Sequence, residues 1–523
     1  KAEIFLLMAR SRLCIFICLL ASFHLRIIFA QENYVSYELR RDNNWDALFT
    51  EDMNGDGNND LIYSHYDPVI GRELWIHYQN NDGTFSANPQ RIEIKTEIIG
   101  AGFADLRKDP GKEIILLAST GVFSLSSAIN GYAGNLEHLI DWNLIAAIPD
   151  RDNLHFLTNI EDFNNDGYVD LILPSEGGYG VFLGNGDGGF DLNATIATLD
   201  QNLLLSHRNN READFEANIG INSRDGIKVE LSVKRPTPFQ DFVEIWKAKS
   251  SSSRALLRDD NWMPSLLLAE LTGDNLKDLI YLNVDDKGEG QLNIHYQNDS
   301  GFDEHPDWQA STDTSGSIAL ADINNDGIQD IYRLLGDGNE WTARFHINRN
   351  GSFKLSDPSQ IMRFSGYDAR LNFVTLKPDG ELILNVNSYS VPVVDAIRNA
   401  AIRRTQLIYP LNPTDSEVLY ERRPTTRLEE TFSATNFRGL SEQMSLRYDV
   451  DGDGNNDALY ITENGTLAAK RIDSSFQISD EPFWEYVSPR TVFEFEVLAL
   501  NEDGKPDLIL RHGVSTTILV SSP

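Results

Sequence analysis

Four nine-residue segments of the chain carry oxygen-bearing side chains at the same four places. Asp52, Asn54, Asp56 and Asp60 form the first set, and Asp162, Asn164, Asp166 and Asp170 the second. Asp322, Asn324, Asp326 and Asp330 form the third, and Asp449, Asp451, Asp453 and Asp457 the fourth. Position 6 is glycine each time (Gly57, Gly167, Gly327, Gly454), and a hydrophobic run begins directly after position 9. Calcium takes about six to eight oxygen ligands from carboxylates, amides and backbone carbonyls. A short loop supplies them when positions 1, 3 and 5 turn inward. Position 7 (Asn58, Tyr168, Ile328, Asn455) then adds a backbone carbonyl, and the sharp turn at position 6 favours a residue free to adopt positive φ. An EF-hand would need a glutamate at position 12 between two helices. Position 12 is Tyr63, Leu173, Arg333 and Tyr460 here, and the flanks read as short strands. Asp, Asn and Gly also dominate metal-free turns. Four near-identical copies, each with Asp at position 9, favour the ion.

Weaker copies accompany these. Glu270, Thr272, Asp274 and Asp278 keep all four oxygens, with Asn275 in place of glycine. Asn501, Asp503 and Asp507 keep three, with Ala499 at position 1. Metal is expected at the Glu270 copy and considered at the Ala499 copy. Asp105, Asp109 and Glu113, with Arg107 at position 3, and the shortened Thr375–Gly380 read as plain turns. There Arg107 and Lys377 stand in for the charge of a cation.

The elements that position these loops follow from their spacing. Position 5 of the copies falls at Asp56, Asp109, Asp166, Asp274, Asp326, Asp379, Asp453 and Asp503. Most are about 53 residues apart, the mark of a repeat array. A strand, an Asx/Gly hairpin and an aromatic follow each loop about 20 residues on, ending at Phe85, Phe190, Phe302 and Phe353. These Phe read as packing anchors. Four antiparallel strands per unit describe a propeller blade. The expected fold is all-β: a propeller of four-stranded antiparallel blades, eight favoured and seven the alternative. The last unit ends one strand short, and Tyr34 to Arg40 is expected to close the ring. Irregular insertions are expected at about 201–260 and 387–440. Within the latter, Val393 to Leu407 has helical spacing after Pro392.

Residues 1–30 read as a secretory signal peptide: Arg10 and Arg12, then Leu13 to Ala21, with cleavage near Ala30. Both cysteines, Cys14 and Cys18, lie there, so residues 31–523 would hold no disulfide. The expected location is secreted, periplasmic or at the cell surface, with no membrane span once the signal is removed. The formal charge is −34, which repels phosphate backbones and argues against nucleic acid.

The repeated unit, Asp-x-Asn-x-Asp-Gly-x-x-Asp followed by a hairpin ending in Phe, resembles the FG-GAP and VCBS repeats of integrin α-like β-propellers. The resemblance spans residues 33–523. It implies calcium on the loop between the first two strands of a blade, held by Asp52, Asn54, Asp56 and Asp60 and by their counterparts. It implies little about the partner. Two functions follow. One is a secreted, non-enzymatic, monomeric binding or adhesion module for an extracellular protein or glycan, with Trp246, Trp262 and Tyr409 as candidate contacts. The other is a calcium-containing polysaccharide lyase, which needs a His or Tyr base beside a cation. His77, His295 and His346 occupy equivalent third-strand positions, which favours a structural role. Phosphate loops, nucleophile elbows and zinc-protease motifs are absent from the sequence.

Overall fold

A computed structural model describes residues 34–41, 47–144, 154–157, 160–175, 178–198, 266–284, 289–313, 317–336, 338–377, 380–390, 401–413, 418–433, 443–501 and 503–521. Short strands joined by tight turns assemble into eight antiparallel sheets, taken in chain order as blades 1 to 8. Blade 1 comprises β2 (Phe49–Glu51), β3 (Asp60–Asp67), β4 (Gly71–His77) and β5 (Gln90–Ile94). In blade 2, β6 (Ile98–Ala104), β7 (Glu113–Ala118), β8 (Gly121–Leu125) and β9 (Glu137–Asp141) are joined by β10 (His155–Phe156), which pairs with β6 in parallel. Blade 3 holds β11 (Ile160–Glu161), β12 (Asp170–Ser175), β13 (Gly178–Gly184) and β14 (Phe190–Ala197). Blade 4 holds β15 (Leu267–Ala269), β16 (Asp278–Val284), β17 (Gly290–His295) and β18 (Trp308–Thr312).

Blade 5 follows with β19 (Ser317–Ala321), β20 (Asp330–Gly336), β21 (Glu340–His346) and β22 (Gln360–Ser365). Blade 6 has β23 (Tyr367–Thr375), β24 (Leu382–Ser390), β25 (Ala401–Pro410) and β26 (Thr426–Ser433). Blade 7 has β27 (Ser445–Tyr448), β28 (Asp457–Ile461), β29 (Leu467–Lys470) and β30 (Trp484–Tyr486). Blade 8 joins β31 (Glu494–Leu498), β32 (Asp507–Arg511) and β33 (Thr516–Ser521) to β1 (Tyr34–Leu39) from the other end of the chain. The register runs antiparallel from Tyr34 opposite Ser521 to Leu39 opposite Thr516. The ring therefore has eight blades and is closed by the expected N-terminal strand. A 3₁₀ turn at Asn130–Tyr132 is the helical element among the described residues.

The hydrophobic core is divided among the seams. One cluster joins blades 1 and 2 through Ile62, Leu74, Ile114 and Leu116. Another runs through blades 2, 3 and 4, and further clusters join 4 to 5, 5 to 6, 6 to 7 and 7 to 8. Leu61, Tyr63 and Phe85 meet Leu500, Ile509 and Val520 at the closing seam. Second strands are buried on both faces, as in β7 and β28, because each blade is sandwiched. Outer strands alternate, as in β5, where Ile92 and Ile94 point in. Phe85, Phe302 and Phe353 are buried as expected of packing anchors.

One expectation meets a different outcome. The helical spacing read over Val393 to Leu407 is overridden in 401–410, where β25 pairs with β24 on one edge and β26 on the other. Leu407 then packs with the blade 5–6 cluster and Ile408 with the blade 6–7 cluster, an alternation only a strand provides. Of the insertion expected at 387–440, residues 391–400, 414–417 and 434–440 lie outside the described residues, and the described strands belong to blade 6. The insertion expected at 201–260, the leader at 1–30, Trp246 and Trp262 lie outside the described residues. No described helix is long and apolar enough to cross a membrane.

Candidate metal-binding loops

Each acidic loop connects the first two strands of its blade, and position 9 is the first residue of the second strand. That acid is buried, and in five of the loops it ties three pieces of backbone together. Asp60 accepts the Met53 N–H at 3.0 Å on Oδ2 and the Gln79 N–H at 2.8 Å on Oδ1. Asp170 does the same with Phe163 and Gly184, Asp278 with Leu271 and Gln297, and Asp330 with Ile323 and Asn348. Asp507 binds Leu500 and Ser521, and Glu113 accepts from Leu106. Asp457 accepts from Val450. In the Asp60, Asp170, Asp278, Asp330 and Asp507 loops, position 9 thus pins the loop to the end of its own blade's third strand. Burial pushes Asp60, Asp278, Asp330 and Asp457 up to about 7, with the other loop carboxylates adding to the shift.

Positions 1, 3 and 5 fold inward on the loop backbone. Asp52 accepts N–H bonds from Gly55 at 2.7 Å, Asp56 at 3.2 Å and Gly57 at 2.9 Å. Asn54 accepts from the Asp56 N–H, and Asp56 from the Asn58 N–H. The loops of Asp162, Asp322 and Asp449 repeat the pattern. Glycine at position 6 adopts φ between 85° and 89° in the four strong copies, and Asn275 takes 67° in the fifth. Asn enters this left-handed region more readily than other L-residues, so its replacement of glycine is tolerated. Position 4 is left-handed as well, at Gly55, Asn165, Gly273, Asn325 and Gly452. The sequence carried that signal, since the position is Gly or Asn in all five.

The donor set fits a hard divalent cation, being oxygen throughout. In the Glu270 copy, Glu270 Oε2 and Thr272 Oγ1 are buried without a hydrogen-bond partner, and in the Ala499 copy Asp503 Oδ2 is likewise unbonded. Buried oxygens without donors are costly unless a cation or water meets them. Carboxylate oxygens of Asp449, Asp451 and Asp453 lie within 4.8 Å of one another. Asn58, Tyr168, Ile328 and Asn455 at position 7 each donate an N–H to the position-5 carboxylate. In the Asp105 copy, Arg107 reaches Glu113 at 3.4 Å and Glu137 at 2.6 Å, so a guanidinium fills the charge role there.

Adjacent loops are bonded to one another. The position-8 N–H of Lys112, Lys277, Gln329 and Asn456 donates to a carbonyl at position 1 or 2 of the preceding blade's loop, at Asp52, Phe163, Glu270 and Leu376. Asn59 closes this series onto Leu500 of blade 8 at 3.0 Å. Buried amides reinforce it. Asn348 donates to Leu271 O and Gln329 O, and Gln79 and Gln297, with nitrogen facing the carbonyls, do the same at their seams. Lys112 also pairs with Glu51, and Lys277 with Glu161. The repeated His-Tyr-Gln-Asn at His77 and His295 marked these amides in the sequence.

The third-strand histidines are packed into the blades. His295 is fully buried, its Nδ1 lies 2.9 Å from Asp303 O, and Tyr281 Oη meets Nε2 at 3.3 Å. His77 bonds Ser86 O and Tyr63 in the same way, and His346 bonds Lys354 O. A carbonyl cannot donate, so Nδ1 carries a proton in each ring. Burial lowers the basicity of all three. Tyr409 is buried against Phe364, a packing role rather than a partner contact.

A cleft of about 410 Å³ opens where the shortened blade-6 turn meets the Asp449 loop; Leu376, Lys377, Asp453, Asp457, Arg471 and Phe476 are among its lining residues. No protein-family model matches the chain, and no curated protein matches it. A solved structure of an Agrocybe aegerita lectin, described by its recognition of non-reducing terminal N-acetylglucosamine, is similar at 13% identity. The match covers 73% of this chain and 79% of that one, with a TM-score of 0.33. A likeness at that level carries no argument about ligand.

Proposed function

We propose that this chain is an exported, calcium-stabilised β-propeller of the FG-GAP/VCBS type that works as a non-enzymatic binding module for an extracellular glycan or protein. The observation that carries the calcium reading is the donor set of the loops, with buried oxygens at Glu270, Thr272 and Asp503 that have no donor. Calcium would be held by Asp52, Asn54, Asp56 and Asp60, by their counterparts in the Asp162, Asp322 and Asp449 loops, by Glu270, Thr272, Asp274 and Asp278, and by Asn501, Asp503 and Asp507. There it would supply the charge that balances clustered carboxylates.

The binding reading is supported by the use the blades make of their histidines. His77, His295 and His346 spend both hydrogen-bonding capacity and burial on packing, which suits a scaffold rather than proton transfer. A glycan array probed with the full chain in calcium and in EGTA tests it. Binding that survives washing in calcium supports the module. Release of unsaturated uronate from an anionic polysaccharide would overturn it in favour of a lyase.

A further inference from the structure

Blade 7 departs from the other strong loops at position 3. Position 3 is Asn54, Asn164 or Asn324 elsewhere, and each amide donates to the position-5 carboxylate at 2.9–3.1 Å. In blade 7 position 3 is Asp451, a fourth acid, and it cannot donate. Arg471 replaces that bond. Its Nη1 donates to Asp453 Oδ2 at 2.7 Å, its Nη2 pairs with Asp451, and its guanidinium lies over the Phe483 ring at 4.5 Å. The two residues it holds, Asp451 and Asp453, belong with Asp449 to the set whose carboxylate oxygens converge within 4.8 Å of one another. One arginine thus cancels the one extra acid.

We propose that Arg471 is a built-in counter-cation that competes with calcium for the blade-7 loop. This most acidic copy is then the weakest calcium site of the four strong ones. The proposal rests on the reading of the loops as calcium sites. Arg471 is half-exposed and already lines the cleft beside the shortened blade-6 turn, so it has room to withdraw when an ion enters. Half-exposed ion pairs are modest, so the handicap is about three- to tenfold in affinity.

Calcium titration of the full chain against a chromophoric chelator reads this directly. Among the four strong loops, the wild type should show three tight sites and one about three- to tenfold weaker. Arg471→Gln should move that site into the tight class. The double variant Asp451→Asn with Arg471→Gln rebuilds the Asp-Asn-Asp set of the other loops and should do the same, which keeps the test valid if the single variant folds poorly. Asp451→Asn alone should leave the tight-class stoichiometry unchanged. An isotherm insensitive to both Arg471 variants, or loss of one tight site in Asp451→Asn, overturns the proposal while leaving calcium binding intact. Absence of calcium binding in every protein would instead overturn the loop reading itself.

Discussion

At the residue scale, two chemical demands act on the same nine positions. The loop needs left-handed backbone at positions 4 and 6, and it needs inward oxygens at 1, 3 and 5. Gly57 separates these demands, because a Cβ added there meets nothing within 4 Å. Gly57→Ala should therefore cost only the left-handed backbone penalty, about 1–2 kcal/mol in urea unfolding. An unchanged midpoint would mean that the position is not left-handed in solution. At Gly55 a Cβ would meet Pro110 and Gly111 at 2.6–2.8 Å, so Gly55→Ala should cost more. His295 gives the pH prediction. Burial lowers its folded basicity, so below about pH 6.5 the unfolded chain binds a proton that the folded chain refuses. Its contribution is present above that pH and is lost as pH falls. The stability gap between wild type and His295→Asn should be wider at pH 8 than at pH 5. A gap that does not vary with pH would argue against a neutral buried ring.

At the scale of elements, β1 is decisive. It is the outermost strand of blade 8 although it begins the described chain, and it covers the β33 edge over six residue pairs. Deleting 34–39 should expose that edge and the Val520 side of the closing seam, giving a lower melting temperature and self-association. A peptide spanning those residues should reverse both effects, and a truncated chain that stays monomeric with an unchanged melting point would sink the idea. The seam amides act at the same scale. Gln297→Leu leaves Phe163 O and Lys277 O without that donor, and about 1–3 kcal/mol should be lost. Equilibrium unfolding at fixed calcium would measure it.

For the whole molecule, the described core is a ring of seams with no single centre, and loop-to-loop backbone bonds join the blades at five of the eight seams. Ions bound in those loops would stabilise the ring as a unit. Each site that binds only the folded chain adds about 2.7 kcal/mol at a hundredfold excess over its dissociation constant. The melting temperature should fall by many degrees in EGTA and recover on adding calcium, and a melting point indifferent to both would refute the calcium reading.

Much of this was legible in the chain itself. Eight position-5 acids marked eight blades, and the short final unit called for a strand from Tyr34 to Arg40, because repeated local patterns state a repeated local structure. The histidines at equivalent positions announced their packing role for the same reason. The strand at 401–410 was not legible, since its partners β24 and β26 come from outside the window in which helical spacing was read. Nor was the double duty of the position-9 acids. Asp60 reads as a ligand in sequence, yet its backbone partners, Met53 and Gln79, are joined to it only when two hairpins fold together. The sequence by itself determined the loop, its period and its oxygen chemistry, all of which are set within a few residues. Tertiary structure alone decided that the blade-7 acids face an arginine, because Arg471 is 18 or more residues from the acids it meets and only the turn of blade 7 brings them together.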